Sequence, residues 1–176
     1  GRADRIPAAG DYFTVTFAGV PVIVLRDKAG EVRAYANTCR HRGAAMLSGE
    51  GNCKTIRCPY HSWVYDLDGK LIVAPEMEQT EGFHLPDYPM IPLRLETWEG
   101  FLFVNFDDHA RPLMDFLGNL PATLASYGMS GMTCVRRKEF DLACNWKIYV
   151  ENAMEAYHVT TVHRSTLSRQ RGQFPT

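Results

Sequence analysis

Two short segments of the chain each place a cysteine close to a histidine, and this pairing is the strongest chemical signal in the sequence. The first segment reads Cys-Arg-His-Arg-Gly and the second Cys-Pro-Tyr-His, with sixteen residues between His41 and Cys58. Thiolate and imidazole are ligands that zinc and iron–sulfur clusters both accept. The spacing therefore predicts a metal centre held by Cys39, His41, Cys58 and His61.

These four residues are compatible with two kinds of centre. In a [2Fe–2S] cluster, one iron can keep both thiolates while the other takes both imidazoles, and the neutral nitrogens raise the reduction potential above that of a four-cysteine cluster. The alternative is a structural zinc site with two cysteines and two histidines. Zinc fingers usually pair cysteine with cysteine and histidine with histidine along the chain. Each segment here mixes the two residue types, which favours the cluster.

A second group of polar residues lies near the end of the chain, in a segment whose apolar spacing predicts a helix from Asn145. Glu155 and His158 are three residues apart and would share a helix face. His158 and His163 are five apart, so both can bind one metal only if the helix ends or bulges between them. The β-branched run at 159–162 favours such a distortion.

Two histidines and a carboxylate are the ligands of mononuclear non-haem Fe(II) oxygenases, which leave coordination positions open for O₂. The alternative is that Glu155 is a surface carboxylate and that the spacing of His158 and His163 is accidental. The predicted cluster upstream in the same chain favours the iron site.

The elements that must position these groups are short strands followed by short helices. Strands are predicted over 13–17, 20–25, 31–36, 90–98 and 101–106, with turns at Ala18-Gly19, Ala29-Gly30, Asp68-Gly69 and Glu99-Gly100. Beyond residue 111 the pattern predicts helices over 112–119 and 121–127, a strand over 132–142 and the helix from 145. The fold class is therefore α+β, with a small all-β domain over 1–110 and part of a second domain over 111–176.

Composition and charge exclude several classes of protein. Of the 176 residues, 45% are hydrophobic and 22% charged, which is typical of a globular protein. The lack of a basic stripe and a pI near 6.6 argue against a nucleic-acid partner. No apolar stretch approaches the ~20 residues of a membrane helix, so we expect a cytoplasmic protein without membrane contact. Five irregularly spaced cysteines do not form a disulfide framework. The first residue is Gly1, and the chain stops without a closing element, as expected of a fragment of a longer polypeptide.

The two metal-binding segments resemble those of the aromatic-ring-hydroxylating Rieske oxygenases. The first block of resemblance covers 39–69 and includes Trp63 and the Tyr-Asp-Leu-Asp-Gly turn that follows. The second block covers 145–163 and matches the family's Asn-Trp-Lys…Glu-Asn…Asp-x-x-His-x-x-x-x-His signature. Respiratory Rieske proteins carry a further cysteine in each loop, where this chain has Ala44 and Tyr60. The resemblance is therefore to the oxygenase or ferredoxin branch.

This resemblance implies a Rieske [2Fe–2S] domain followed by the beginning of a helix-grip catalytic domain. It implies that the two cysteines and two histidines of the first block bind the cluster, and that His158 and His163 ligate a mononuclear Fe(II). The family's third iron ligand, an aspartate, is expected beyond residue 176. Electrons would come from NAD(P)H through a reductase or ferredoxin. With O₂, the enzyme would hydroxylate, dihydroxylate or demethylate a small organic substrate of aromatic or quaternary-ammonium type.

One position departs from the family pattern, because Glu155 replaces the usual aspartate. In the family, that carboxylate joins the iron-binding histidine to a cluster-binding histidine of the neighbouring subunit. The resemblance thus implies a bridge from His158 to His61 of an adjacent chain, and with it a homotrimer or a multiple of one. Glutamate is expected here among relatives that act on quaternary ammonium compounds such as carnitine. Asn152 and Tyr157 are further candidates for the catalytic site, either as hydrogen-bond donors near the iron or as packing residues of the helix.

Two other functions are compatible with parts of the sequence. A Rieske electron carrier without its own catalytic iron would end soon after residue 107, and the segment that holds His158 and His163 argues against it. A zinc-stabilised binding module would use the first four ligands alone.

Overall fold

The computed structural model describes residues 1–166, which belong to two compact units. The first unit spans Gly1–Val135, and the second begins at Arg136. The domain boundary between residues 110 and 111 stays a prediction; in the structure, the short helices that follow it group with the first unit.

The strands of the first unit are separated by turns, as the turn signals in the sequence predict. The strands among residues 1–166 are β1 (Asp11–Phe17), β2 (Val20–Arg26), β3 (Val32–Ala36), β4 (Glu50–Asn52), β5 (Ile56–Arg57), β6 (Val64–Tyr65), β7 (Leu71–Val73), β8 (Pro92–Trp98) and β9 (Phe101–Asn105). The α-helices are α1 (Leu113–Leu117), α2 (Leu120–Leu124), α3 (Trp146–Met154) and α4 (Val159–Val162), and 3₁₀ helices cover Ala3–Arg5, Leu85–Asp87, Ala125–Tyr127 and Met129–Gly131. A strand-rich part followed by a few helices confirms the predicted α+β class. None of the helices within 1–166 has the length and apolar character needed to cross a membrane.

Most of the strands form one antiparallel sheet in the order β4-β1-β2-β3-β8-β9. The hairpin between β1 and β2 turns at Ala18 and Gly19, whose φ angles are 48° and 81°. Glu99 and Gly100 turn the β8–β9 hairpin with φ angles of 50° and 79°. Positive φ at both central residues is the type I′ pattern, whose twist matches that of the strands. Both predicted hairpins are therefore confirmed.

Strand β2 is the centre of the first unit because both of its faces are buried. Ile23 and Leu25 on one face belong to the core that contains the cysteines and Trp63. Val22 and Val24 on the other face pack in a second core with Phe13 and Leu102. The continuous apolar run of this strand is what burial on two faces requires. The sheet is thereby attached to the part of the unit that holds the predicted cluster.

A smaller antiparallel sheet, in the order β5-β6-β7, supports the second cysteine–histidine loop. Strand β5 leads directly into Cys58, and β6 begins directly after Trp63. Tyr65 in β6 and Ile56 in β5 are fully buried partners in this sheet. The first loop follows β3, so each loop is held at a strand end.

The predicted strand over 132–142 is wrong, since no strand covers these residues. A strand is stable only when its backbone groups pair with a neighbour, and β-propensity alone does not supply one. The side chains of this segment are exposed, with Val135 at 94% and Phe140 at 76%. The predicted helix from residue 145 is present as α3 but ends at Met154.

Candidate metal centres

The first cysteine–histidine loop is closed by its own backbone. The amide of Cys39 donates to the carbonyl of Ala44 at 2.9 Å, and the amide of Gly43 donates to the carbonyl of Cys39 at 2.9 Å. Gly43 has a φ of 73°, which favours glycine at this turn. These bonds hold Cys39 and His41 on one tight turn.

A buried asparagine fastens this loop to the end of β3. The Asn37 side chain accepts from the amides of Met46 and Leu47 at 2.8 and 3.1 Å, and it donates to the carbonyl of Leu47 at 2.7 Å. Asn37 is only 3% exposed. This residue lies outside the cysteine–histidine motif. The signal that points to it is the need of the loop's backbone amides for an acceptor, which a nearby asparagine side chain can supply.

The second loop repeats the construction of the first. The amide of Cys58 donates to the carbonyl of Trp63 at 2.8 Å, and the amide of Ser62 donates to the carbonyl of Cys58 at 3.1 Å. Ser62 has a φ of 58°, in the left-handed region that residues other than glycine rarely adopt. The turn presents Cys58 and His61 in the same way as the first loop presents its pair.

The structure brings the four predicted ligands together. The rings of His41 and His61 lie 4.5 Å apart between centroids at an interplanar angle of 65°. Cys39 and Cys58 are both buried, at 3% and 2% exposure. Burial raises the pKa of the Cys39 thiol, and the adjacent Cys58 thiol raises it further. The Cys39 thiol is therefore neutral without a metal, and a bound cation would stabilise the thiolate that ligates it.

The surroundings of His41 fit a metal-bound imidazole. Its Nδ1 atom is buried and has no hydrogen-bond partner among the described residues. Leaving such an atom unpaired costs about 1–3 kcal/mol, and a metal ion at Nδ1 would satisfy it. Burial lowers the pKa of His41, and the charges of His61 and Arg42 lower it further. The neutral form, which is the form that ligates metals, is thus favoured.

Two buried aromatic residues contact the ligands. The Trp63 ring is stacked on the His41 ring at 4.9 Å and 8°, and Trp63 is only 3% exposed, as expected of a residue that shields the loop from water. The Tyr65 hydroxyl accepts from the amide of Arg40 at 3.1 Å and lies 3.6 Å from the Cys39 sulfur. Burial raises the pKa of Tyr65 and keeps its proton available for donation.

A cavity of about 560 Å³ opens beside the two histidines. It is lined by His41, His61, Ser62, Trp63, Pro75, Glu76 and Met77. His61 and the neighbouring Tyr60 are both exposed, and their rings lie 3.9 Å apart. The histidine edge of the site is therefore open, whereas the cysteine side is buried.

The second unit contains the Glu155–His158 pair in a form that differs from the prediction. Glu155 lies beyond the end of α3 in an extended conformation, with φ −105° and ψ 151°. The two residues therefore do not share a helix face, yet their side chains meet. One Glu155 oxygen contacts Nδ1 of His158, and the other accepts from the amides of Tyr157 and His158. The hydrogen bond with His158 lowers the pKa of Glu155, which keeps the carboxylate ionised.

A helix does end between His158 and His163, as the five-residue spacing requires: the single turn α4 ends at Val162, and His163 follows it with φ −104° and ψ 28°. The β-branched run was expected to distort the helix but itself forms this turn, and a separate break between Met154 and His158 precedes it. His158 and His163 flank this turn, and their rings lie 5.3 Å apart at 67°. With Nδ1 of His158 engaged by Glu155, its Nε2 is left for a metal. This is the arrangement in which a carboxylate fixes the tautomer of a metal-binding histidine.

The two remaining site candidates have no contact that assigns them a role. Asn152 is exposed in α3, and the Tyr157 side chain is 93% exposed. Within the described residues neither side chain hydrogen-bonds to His158 or His163. Their participation stays a prediction.

In the first unit, an antiparallel sheet presents two loops that each contain one cysteine and one histidine. The two thiols are buried, and the imidazole edge is open. These features define a Rieske-type iron–sulfur protein. The family model of the Rieske [2Fe–2S] domain matches residues 1–89, and the chain belongs to this family. A second model, the catalytic domain of the ring-hydroxylating alpha subunit, matches residues 129–175. Together the two matches confirm the predicted resemblance to Rieske oxygenases and the predicted cofactors, a Rieske cluster and a mononuclear iron.

Proteins of known activity are similar over nearly the whole chain. The glycine betaine monooxygenase oxygenase subunit of Chromohalobacter salexigens is 36% identical over 169 residues, which cover 96% of this chain and 38% of that protein. The crystal structure of a quaternary ammonium Rieske monooxygenase with L-carnitine matches with a TM-score of 0.87 and 32% identity, over 93% of this chain and 47% of that one. Naphthalene 1,2-dioxygenase from Rhodococcus sp. bound to indole matches with a TM-score of 0.86 and 32% identity, over 99% and 41%. The chain thus spans less than half the length of each of these proteins.

Proposed function

We propose that this chain is part of the terminal component of a Rieske monooxygenase that acts on a quaternary ammonium compound. The observation that carries the proposal is the presence of two histidine sites in one chain. His41 and His61 stand with the buried thiol pair, and His158 and His163 form a second pair beside an ionised carboxylate. An electron carrier needs only the first.

In this proposal Cys39 and Cys58 ligate one iron of the [2Fe–2S] cluster, and His41 and His61 ligate the other through Nδ1. The unpartnered Nδ1 of His41 and the shared construction of the two loops support the assignment. The burial of the thiols and the exposure of His61 orient the histidine iron toward the surface. Electrons would leave the cluster at this open edge.

His158 and His163 would hold the mononuclear Fe(II), together with a carboxylate expected outside residues 1–176. When bound, the iron supplies the open positions at which O₂ reacts. Glu155 holds His158 in one tautomer and is itself fixed by two backbone amides. The same carboxylate would accept a hydrogen bond from His61 of an adjacent chain, which requires a homotrimer or a multiple of it. The solved quaternary ammonium monooxygenase is described as transferring electrons between subunits.

The reaction consumes one O₂, two electrons and two protons for each oxygen atom inserted, and it releases one water. The electrons originate from NAD(P)H and arrive through a reductase or ferredoxin. Hydroxylation of a carbon attached to the quaternary nitrogen gives an unstable product. The C–N bond then breaks, and the hydroxylated group leaves as a carbonyl compound. When that carbon is a methyl group, the overall reaction is an oxidative demethylation. We expect this system in the cytoplasm, where cysteine thiols stay reduced and can bind metal.

An aromatic substrate is the second candidate, because the naphthalene dioxygenase fold matches almost as closely as the carnitine-bound one. The fold therefore does not separate the two substrate classes. Glu155 favours the quaternary ammonium class, since the aromatic-ring oxygenases carry aspartate at this position. The 36% identity to a glycine betaine monooxygenase also favours it.

The test is a metal count followed by turnover on the anaerobically purified full-length protein. About three irons and two sulfides per chain are expected for a cluster plus a mononuclear iron. The pre-reduced protein is then exposed to O₂ with glycine betaine, carnitine, choline or naphthalene, and the products are identified. If the protein contains two irons, if added Fe(II) does not raise this number to three and if no product forms, then the electron carrier is the correct function. Product from naphthalene alone would assign the aromatic class.

A further inference from the structure

A shallow groove on the first unit adjoins the cavity at the cluster histidines. This groove, called the β7 groove below, has a volume of about 250 Å³ and is lined by Ile72, Val73, Ala74, Met77, Glu78, Phe83 and Leu85. Met77 also lines the histidine cavity. Ile72 and Val73 are 43% and 45% exposed. Contiguous exposed apolar side chains rimmed by polar ones are typical of an interaction surface.

The chain segment that lines the β7 groove, called its rim below, is acidic. Between Lys70 and Arg94 the sequence contains no lysine or arginine but four carboxylates. These are Glu76, Glu78, Glu81 and Asp87, all exposed; Glu78 lines the groove itself, whereas Glu76 lines the histidine cavity. Within residues 1–166, none of the four takes part in an ion pair. Their charges are thus available to attract a partner with a basic surface.

Aromatic rings connect the groove to a cluster ligand. The Phe83 ring lines the groove and meets the edge of Trp63 at 5.6 Å between centroids. Trp63 in turn is stacked on His41 at 4.9 Å. Tyr88 braces this contact, stacked on Phe83 at 4.8 Å. One buried indole therefore separates a cluster ligand from the floor of an exposed groove.

We propose that the β7 groove is the docking surface for the redox protein that reduces the cluster, and that this donor carries a basic rim around an apolar contact. In the docked complex, one electron passes from the reduced donor to the oxidised cluster, so the donor loses the electron that the cluster gains. The proposal rests on the proposed function, because only a cluster that is reduced by a separate protein needs such a surface.

The charges and the geometry decide among possible occupants. A second copy of this chain that presented the same surface would bring the same acidic rim and be repelled, and an anionic membrane surface would be repelled as well. The histidine cavity is the output side in the proposed function, since it would face the bridging carboxylate of a neighbour. Electron input therefore needs a surface that leaves the histidines free, and the β7 groove shares only Met77 with the lining of the histidine cavity.

The test compares two charge variants of the full-length protein by stopped flow. One carries Glu78→Gln, Glu81→Gln and Asp87→Asn in the groove rim; Glu76 is kept because it lines the histidine cavity. The control carries Glu31→Gln, Asp108→Asn and Asp115→Asn, three exposed carboxylates of the same unit that lie outside the groove. The electron donor is the NAD(P)H-dependent reductase that reduces the wild-type cluster. Dithionite serves as a small reductant that needs no docking.

We expect the rim variant to be reduced by the reductase at least about fivefold more slowly at low ionic strength, because steering by opposite charges raises association rates by 10- to 1000-fold. The rate should also lose most of its salt dependence. The control variant should keep the wild-type rate and salt dependence. Reduction by dithionite and the electron paramagnetic resonance spectrum of the reduced cluster should be unchanged in both. Equal rates for the rim and control variants would overturn the proposal.

An Ile72→Asn variant tests the apolar contact separately. In this variant the reduction rate of the cluster should saturate at a higher reductase concentration, and the salt dependence of the rate should stay unchanged. If it instead changes the oligomeric state while reductase kinetics stay normal, the groove is a subunit contact and the proposal is wrong. Single turnover of pre-reduced protein with O₂ and substrate tests the proposed function independently, since it needs no docking. A failure there with normal cluster reduction would reject the oxygenase and leave the docking result to stand.

Discussion

The hydroxyl of Tyr65 lies 3.6 Å from the sulfur of Cys39 and accepts a hydrogen bond from the amide of Arg40. Since the Arg40 amide uses a lone pair of the hydroxyl oxygen, the hydroxyl proton is left to point toward the sulfur. A donor at a ligand sulfur stabilises the more negative, reduced state of a cluster. Tyr65 thereby connects the local structure of β6 to the reduction potential.

Replacing Tyr65 with phenylalanine should lower the reduction potential of the cluster. A preference of about 1.4 kcal/mol for the reduced state, in the range of one hydrogen bond to a charged group, corresponds to about 59 mV for a one-electron couple. A redox titration of the full-length protein followed by electron paramagnetic resonance measures it. Tyr127→Phe, at an exposed tyrosine of the same unit, is the control. An unchanged potential in the Tyr65 variant, with iron and sulfide intact, would show that the contact does not tune the cluster.

Replacing Glu155 with glutamine should cut oxygenation while both metals stay bound. The amide cannot match the ionised carboxylate that contacts Nδ1 of His158, so the orientation of this ring and the path for electrons are both impaired. Loss of such a partner typically lowers activity or metal affinity by roughly 10- to 100-fold. Product formed in one turnover of the pre-reduced protein, together with the iron content, measures the effect. Full coupled turnover in Glu155→Gln would exclude the bridging role.

Replacing Asn37 with alanine should release the first cluster loop. The amides of Met46 and Leu47 would lose their acceptor, at a cost of about 1–3 kcal/mol for each buried group. We expect iron and acid-labile sulfide to fall well below two per chain after purification, and the visible absorption of the cluster to fall in parallel. Asn105→Ala, at an exposed asparagine whose side chain accepts from the amide of Asp107, is the matched control and should keep its cluster. Equal cluster content in both variants would contradict the role of Asn37.

Replacing Gly69 with alanine should destabilise the turn after the second loop far more than the same change at Gly30. Both glycines have positive φ, 82° and 89°, so each change adds about 1 kcal/mol of backbone strain. At Gly69 the new methyl would also lie 2.6 Å from Cε1 of Tyr35, whereas nothing lies within 4 Å at Gly30. Overpacking of this kind costs about 1–3 kcal/mol more. Urea unfolding of the two variants measures the difference, and similar losses of stability would reject the steric explanation.

The sequence by itself determined the ligand chemistry. The mixed order of cysteine and histidine at residues 39–61 predicts a cluster, and five-residue spacing between His158 and His163 demands a break in the helix. Gly19 and Gly100 predicted the two hairpin turns, because the positive φ of a hairpin turn favours glycine. Residue type and spacing are local properties, so a short segment of sequence is enough to specify them.

Only the tertiary structure decided where the helix near the second histidine pair breaks, which polar side chains contact each other, and which segments find a neighbouring strand to pair with. The helix ends at Met154, so Glu155 reaches His158 from outside the helix. The contacts of Asn37 with the first loop join residues that are nine and ten positions apart, and the contact of Tyr65 with Cys39 joins residues twenty-six apart. Residues 132–142 have strand propensity but form no strand, because a strand depends on a neighbour to receive its hydrogen bonds. Burial and long-range pairing depend on how distant segments pack, which residue spacing does not specify.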